Sequence, residues 1–485
     1  MKRFHIASVI LITGLFISGS ALLSKARTCI SPTTEVNIPP SQGGYLDGEW
    51  YGIYQGGPVT VSFSGGKFFR LDSEASSSMM LSADYTVDDS VSPSRISFGG
   101  AIPGMAGEGI FKVEGASLEL LCIFGAPGQV SSPASFDEGS MNPAAIHLFL
   151  SRDKSVLESV KKAATVPAEA AIAFERNRRL GNGVNLNSTF DGLSGDRPVE
   201  EGMLKKIADA GFESVRIPIR WSNHTSKEAP YTIDPSFFTR VDKVVDKCLS
   251  LGLAVSLDLH YYPVISFAGT PDLPFDENID RFYSIWEQLS SHYKGYGDDL
   301  YFDLMNEPGL SLDPVLWNEM VSKAIGIIRK ENPDRTVIVM TPSLGQHWTI
   351  GLLDFPEDDW NIIAEAHYYL PHLFTHQGLA YAMAEQGLGM KWTATEDEKA
   401  AIEHDFKYLY EWSQRTGRPV NIGEYGVCSL ADEASRAEWL RFMRATISHY
   451  GMSSHIWALY RDTFQIYDEK TESWNEKLLD AAMLR

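Results

Sequence analysis

The stretch Tyr301-Phe302-Asp303-Leu304-Met305-Asn306-Glu307-Pro308 decides how the rest of this chain is read. Its first five residues read as a short strand. That strand runs straight into an amide, a carboxylate and a proline. Polar groups at the C-terminal end of an apolar strand mark where α/β proteins carry their chemistry. Outward from here the same arrangement recurs in both directions. Strands are expected at Leu180–Leu186, Ser214–Ile219, Ala254–Leu259, Tyr301–Met305, Thr336–Met340, Ile362–His367, Pro419–Gly423 and His455–Leu459. Helices are expected between them. In one, Val241, Val244, Val245, Cys248 and Leu249 share a face at helical spacing, and Gly252 offers a left-handed cap. Strands without inner alternation, separated by amphipathic helices, imply a parallel sheet covered on both faces. Eight such units predict an α/β fold, a (β/α)8 TIM barrel, over residues 176–485. No Gly-x-Gly-x-x-Gly follows the first strand to support an open doubly wound sheet.

Upstream the chain changes character. Residues 44–151 carry short period-two stretches, such as Val59–Phe63 and Phe68–Leu71 about a Ser64-Gly65-Gly66 turn. Arg95–Phe98, Ile110–Val113, Ser117–Ile123 and Ile146–Leu150 follow. Many short strands with glycine-rich turns predict a small all-β antiparallel barrel. Residues 152–175, rich in Ala, Lys and Glu, are expected to form a helical connector, and residues 27–43 a linker. Lys2 and Arg3 precede the apolar run Ile6–Ile17, with small residues after it. That is the order of a secretory signal over residues 1–26, and it is too short for a span of about 20 residues. A protein outside the cytoplasm is expected, secreted, periplasmic or at the cell surface, with no integral membrane segment in the mature chain.

Of 485 residues, 63 are Asp or Glu and 42 are Lys or Arg, a formal charge of −21. Such an acidic body disfavours nucleic acid as a partner. Cys29, Cys122, Cys248 and Cys428 fit no zinc spacing and read as buried thiols. Oligomeric state is not written in the sequence.

In a barrel of this kind the functional groups sit at the C-terminal strand ends. Those ends supply Arg216, His260, Asn306, Glu307, His367, Tyr369, Glu424 and Trp457. Two carboxylates on facing strands suit glycoside hydrolysis, one as proton donor and one as nucleophile. Arg216 beside the nucleophile would hold it ionised, and Asn306 would donate to a sugar 2-OH. Trp457 would offer a flat face to a pyranose ring. His367, His372 and His376 do not share a face, so no metal is expected, and the double displacement requires no cofactor.

The segment from Phe174 onward resembles glycoside hydrolase family 5 of the cellulase clan. The likeness rests on Val215-Arg216-Ile217-Pro218-Ile219-Arg220-Trp221, Leu259-His260, Asn306-Glu307-Pro308, His367-Tyr368-Tyr369, Ile422-Gly423-Glu424-Tyr425-Gly426 and Trp457. It implies that Glu307 is the acid/base, that Glu424 is the nucleophile, and that the other six strand-end residues support them. Phe174-Glu175-Arg176-Asn177, Phe374-Thr375-His376-Gln377-Gly378, Lys391-Trp392 and Trp474-Asn475 are similar to the endoglucanase subfamilies 4 and 25, some of whose members cut mannan. A β-1,4-linked polysaccharide or oligosaccharide substrate of cellulose or β-glucan type follows. The alternatives are a β-mannanase and a carbohydrate-binding protein that has lost catalysis. A metal-dependent amidohydrolase would need His-x-His at the first strand, where Asn185-Leu186-Asn187 stands.

Residues 44–151 resemble a lipocalin-like small-barrel family of secreted bacterial proteins. Gly48-Glu49-Trp50, Pro93-Ser94-Arg95-Ile96, Gly109-Ile110, Glu114-Gly115, Pro127-Gly128, and Leu118, Leu120, Leu148 and Leu150 carry that likeness, which implies no activity. Trp50, Tyr51 and Tyr54 either stack on sugar or fill the barrel.

Departures from the glycosidase pattern fall on substrate contacts. Tyr261 follows His260 where relatives often have a second His. Ser188 and Asp191 replace an Asn and a Glu. Leu344 stands where a Trp is expected, with Trp348 as a substitute, and Ala458 follows Trp457. Tyr261, Asp191 and Trp392, the last in a long insertion after the sixth strand, are expected to touch sugar. Trp221 is expected to pack.

Overall fold

A computed structural model describes residues 45–99, 106–125, 130–136, 145–161, 166–192, 195–199, 201–262, 273–309 and 312–485. The expected signal segment, the linker and Cys29 lie outside them. The chain divides into two compact units, Met1–Ala163 and Ala164–Arg485.

In the second unit, eight parallel strands close a barrel, as the strand–helix alternation implies. They follow eight strands of the first unit and are numbered accordingly: β9 (Asn182–Asn185), β10 (Ser214–Ile219), β11 (Ala254–Leu259), β12 (Leu300–Asp303), β13 (Val337–Met340), β14 (Ile362–His367), β15 (Val420–Tyr425) and β16 (Ser453–Ile456). Closure comes from β9, which pairs with β10 on one side and β16 on the other. Every residue of these strands is buried, because the barrel interior covers one face and helices the other. The helix Pro235–Ser250 shows how the sequence sets a helix. Asp234 caps it by accepting from the Ser236 N–H, and Pro235 takes the first turn, where no N–H is needed. Val241, Val244, Val245 and Cys248 are buried, and Gly252 lies at φ 78° just past the end. Thr395 and Glu398 form a reciprocal capping box for Glu396–Thr416.

Two register shifts bear on function. One falls between Ala366 and His367 and the other between Ile422 and Tyr425, at the ends of β14 and β15. Such irregularities re-aim a strand's last side chains, here those of His367 and Glu424.

The first unit is a closed antiparallel barrel in simple up-and-down order. Its strands are β1 (Gly48–Tyr54), β2 (Gly57–Ser64), β3 (Phe68–Ser73), β4 (Leu81–Asp88), β5 (Ser94–Gly99), β6 (Ala106–Glu114), β7 (Ser117–Gly125) and β8 (Ala145–Ser151). β1 and β4 are additions to the strands expected from the sequence. Their glycine, serine and aspartate hide the period-two pattern that burial reveals. Gly52 is required in β1, since a Cβ there would stand 2.6 Å from the Phe149 carbonyl oxygen.

Residues 152–175 are not one helix. A 3-10 turn at Lys154–Leu157 runs into a short helix, Glu158–Lys161. A second turn, Ala168–Ala170, begins after Pro167 and leads into the helix Ala171–Leu180. Pro167 has no N–H to continue a helix from upstream. Among the described residues, no helix is long and apolar enough to cross a membrane.

Candidate active site

The barrel gathers the strand-end residues. Arg216 comes from within β10, His260 directly after β11, and Asn306 and Glu307 after β12. His367 ends β14 with Tyr369 two residues on, Glu424 lies on β15, and Trp457 follows β16. His367 Nδ1 stands 3.0 Å from Glu307 Oε1 and 3.5 Å from Glu424 Oε2. One oxygen from each glutamate and a ring nitrogen of His367 all lie within 4.8 Å of one another.

The two glutamates sit in different surroundings. Glu424 is nearly enclosed. Arg216 Nη1 donates to its Oε1 at 3.1 Å and the Tyr369 hydroxyl to its Oε2 at 2.9 Å. The Glu307 side chain keeps 20% exposure, and among the described residues its hydrogen-bond partner is His367. Glu307 adopts φ 45°, a left-handed backbone rare for a glutamate and of a kind that clusters at functional sites. Burial pushes both carboxyls up to about 7. His367, Arg216 and the Tyr369 hydrogen bond pull Glu424 back down, whereas only Arg216 does so for Glu307. Glu424 is therefore the better-held anion.

Arg216 stands beside Glu424, as expected, and serves other acids as well. The guanidinium is fully buried and meets four carboxylates. Asp303 accepts from Nε at 2.7 Å, Asp258 and Glu365 stand 3.1 and 3.4 Å from Nη2, and Glu424 accepts from Nη1. Asn185 and Asn306 take the remaining directions through their Oδ1 atoms. One positive charge divided among four acids holds each of them weakly. Burial raises Asp258 and Asp303 to about 7 and Glu365 well above the usual carboxylate range.

Asp258, Asp303 and Glu365 are the residues that sequence reasoning missed. A signal was present, because alternate strand residues point the same way. Asp258-x-His260 and Glu365-x-His367 each place an acid one layer below a strand-end histidine. Asp258 Oδ2 lies 2.5 Å from His260 Nδ1. Burial holds His260 well below its ordinary value and His367 at about 4, so both rings are neutral at pH 7.

The remaining expectations divide. The Trp457 and His260 rings are stacked, with centres 5.6 Å apart and planes 6° from parallel. Tyr261 sits at the rim at φ 46°, with the Arg220 guanidinium 5.7 Å from its ring centre. Asp191 braces its own loop, accepting from the Thr189 N–H at 3.1 Å, and burial raises it to about 7. Trp392 corrects the sequence reading. It is 1% exposed and packs against Phe442, so no sugar reaches it. Trp348 is likewise buried against His347 and does not replace the tryptophan missing at Leu344. Trp221 packs on Phe237 and Phe238. In the first unit Trp50 lies inside the barrel wall beneath Arg152, and Tyr54 is buried, which removes both as sugar platforms. Cys122, Cys248 and Cys428 are buried free thiols.

Glu307, His367 and Glu424 are compact enough to enclose a cation. The Arg216 guanidinium, 3.1 Å from Glu424, already supplies the positive charge there, so the trio is read as an acid–base site. His372 and His376 are stacked on each other, and His372 Nε2 is taken by the Ala382 carbonyl.

Residues 180–462 match the family described as Cellulase (glycosyl hydrolase family 5). This chain belongs to glycosyl hydrolase family 5. Endoglucanase H of Acetivibrio thermocellus is 31% identical over 325 residues, which is 64% of this chain and 34% of that protein. The chain thus spans about a third of that relative's length. Cellodextrinase A of Ruminococcus flavefaciens is 30% identical over 288 residues, covering 57% of this chain and 85% of its own. Among solved structures, Thermotoga maritima Cel5A in complex with mannotriose is 34% identical with a TM-score of 0.60. It covers 64% of this chain and 99% of its own. The closed parallel barrel described above is the TIM-barrel fold that the chain shares with that structure of the family.

Proposed function

We propose that this protein is a retaining endo-β-glycanase acting on β-1,4-linked glucan, with Glu307 as acid/base and Glu424 as nucleophile. The observation that carries this reading is the separation of the two carboxylates, whose facing oxygens lie within 4.8 Å. Retaining glycosidases hold the pair about 5–5.5 Å apart, whereas inverting enzymes leave about 6.5–9.5 Å for a water. In the first step Glu424 attacks the anomeric carbon while the Glu307 proton passes to the leaving glycosidic oxygen. In the second, Glu307 takes a proton from the water that displaces Glu424. Arg216 and Tyr369 favour ionised Glu424 before attack, and Asn306 donates to the sugar 2-OH. The endoglucanase and cellodextrinase names of the relatives support glucan as the substrate class. The mannotriose bound to the Thermotoga protein keeps mannan as the second candidate. We place the enzyme outside the cytoplasm because Lys2 and Arg3 ahead of Ile6–Ile17 give it an export signal.

The test is release of reducing ends from carboxymethylcellulose, mixed-linkage glucan, xyloglucan, glucomannan and galactomannan. Cleavage of the glucans is expected, with product first appearing in the β anomer. Glu424→Gln should lose on the order of 10³-fold or more in turnover with its fold unchanged. Substantial activity in that variant, or first-formed α anomer, would refute the assignment. Binding without cleavage by the parent protein would identify a lapsed enzyme.

A further inference from the structure

Glu365 lies under the proposed catalytic pair and has no part in the double displacement as described. It is fully buried within β14, two residues before His367 on the same inward-facing row. The barrel makes room for it. A Cβ on Gly423 of β15 would fall 2.3 Å from the Glu365 carboxyl carbon, so only glycine leaves that space. Its Oε2 accepts from Asn421 Nδ2 at 2.5 Å. Its Oε1 stands 3.4 Å from Arg216 Nη2 but makes no hydrogen bond among the described residues, and neither does Nε2 of His367, 3.9 Å away. Two buried polar atoms without a hydrogen bond, facing each other, are costly unless one donates to the other.

Counting charges shows which one donates. Arg216 is the cation of this cluster, and Asp303, Asp258 and Glu424 stand nearer to it than Glu365 does. A fourth buried anion here has no counter-ion of its own. Glu365 is thus the acid that stays protonated. With Oε2 taken by an amide donor, the hydroxyl sits on Oε1, and His367 Nε2 is the acceptor it faces. A neutral ring that accepts at Nε2 carries its hydrogen on Nδ1. Nδ1 is the atom between Glu307 and Glu424.

We propose that Glu365 is a positioning residue for the catalytic pair, working as an uncharged hydrogen-bond donor to His367 Nε2 and so fixing the ring hydrogen on Nδ1. This rests on the glycanase reading above. The Nδ1 hydrogen serves whichever glutamate is ionised, Glu424 before attack and Glu307 after it has given up its proton. At 3.9 Å the pair is longer than a formed hydrogen bond, and the donor role requires it to shorten in the substrate complex, as catalytic hydrogen bonds do. Besides Glu365, the groups facing His367 are Glu307 and Glu424, with Arg216, Asp303 and His260 further off. None of them offers Nε2 a donor.

The experiment combines ¹⁵N-histidine NMR, which reads the ring tautomer, with pH–rate profiles of the parent, Glu365→Gln and Glu365→Leu. An amide can still donate to Nε2 and leucine cannot. The parent and Glu365→Gln should show His367 protonated at Nδ1 and keep similar profiles. Glu365→Leu should lose that tautomer and fall roughly ten- to a hundredfold in kcat. The acid limb of its kcat/KM profile should move up by about one pH unit as Glu424 loses a donor. A ring hydrogen on Nε2 in the parent would overturn the proposal. So would a Glu365→Gln variant that loses the Nδ1 tautomer, which remains decisive where Glu365→Leu does not fold. A merely structural role would lower kcat without moving the limb or the tautomer. If the parent cleaves no glycan while the tautomer pattern holds, the glycanase reading fails and the hydrogen bond stands.

Discussion

The chain contains two closed eight-stranded barrels, and they use their interiors in opposite ways. Inside the antiparallel barrel are Trp50, Val61, Phe69, Phe98, Leu120 and Leu148, all nearly inaccessible. Inside the parallel barrel are Arg216, Asp258, Asp303, Glu365, Asn185 and His455, buried as deeply. The difference follows from what covers each wall. The outer wall of the small barrel carries residues such as Thr60, Ser62 and Arg70, so the inside is its only place for a core. The parallel strands are roofed by amphipathic helices, and the apolar burial lies between strand and helix. Their inner wall is then released to carry charge, despite the desolvation that buried ions suffer. A barrel with a second apolar layer is thus the one able to hold a catalytic pair.

The largest effect that tests this contrast is expected at Arg216. Arg216→Met should destabilise the second unit by about 3–5 kcal/mol, because it strands the acids that share the guanidinium. It should also abolish glycan cleavage. Denaturant unfolding followed by the tryptophans reads the first, and a reducing-end assay reads the second. A cost below about 1 kcal/mol would mean that the acids already hold enough protons to stand without it. The matching change in the other barrel is Leu120→Ala, expected to cost about 3 kcal/mol through cavity formation in the first unit's transition. A much smaller loss would show an interior loose enough to collapse around the gap.

A smaller effect is expected from Gly423→Ala. The new methyl would meet the Glu365 carboxyl at 2.3–2.7 Å. Overpacking of this kind costs about 1–3 kcal/mol. Displacing Glu365 should impair turnover beyond what the stability loss explains, measured well below the melting temperature. Unchanged turnover would separate Glu365 from the chemistry.

The same contrast explains what was legible in the sequence. The strand-end groups were readable because Asn306-Glu307-Pro308, His367 and Glu424 interrupt apolar runs at regular intervals. The deeper acids were not. In a strand buried on both faces, Asp258 and Glu365 resemble isolated irregularities until closure shows that both point at Arg216. The weak clue was their spacing of two from a histidine. Trp392 misled for a related reason. An aromatic in a long insertion reads the same whether it meets solvent or Phe442, and only packing distinguishes the two. In the small barrel, β4 was hidden because Ser82, Ala83 and Asp84 are weak strand formers.

The smallest effect expected is on pH dependence, and it should differ in sign between the barrels. In the parallel barrel, burial raises Asp191, Asp258, Asp303, Glu307 and Glu424 to about 7. The folded state then binds protons that the unfolded chain releases near pH 4. The stability these groups contribute is full below pH 4 and lost as pH rises through about 7. The buried histidines oppose this. His367 lies at about 4 and His455 at about 3, so their contribution is present above about 6.5 and lost as pH falls. Above pH 6.5 each unfolded-state histidine has at most half a proton left to lose, so the more numerous carboxyls, titrating near 7 in the folded state, dominate the slope. Stability of the second unit should therefore fall between pH 6.5 and 8, on the order of 1 kcal/mol. In the small barrel, Asp88 and Asp153 are held low by serine donors and His147 is lowered by burial. All three favour the folded state as pH rises, so that unit should gain slightly or stay level over the same interval. Unfolding curves at pH 5.5, 6.5 and 8 decide the matter. Parallel slopes for the two transitions would mean that the carboxyls around Arg216 ionise normally, and that the parallel barrel's interior is wetter than its burial implies.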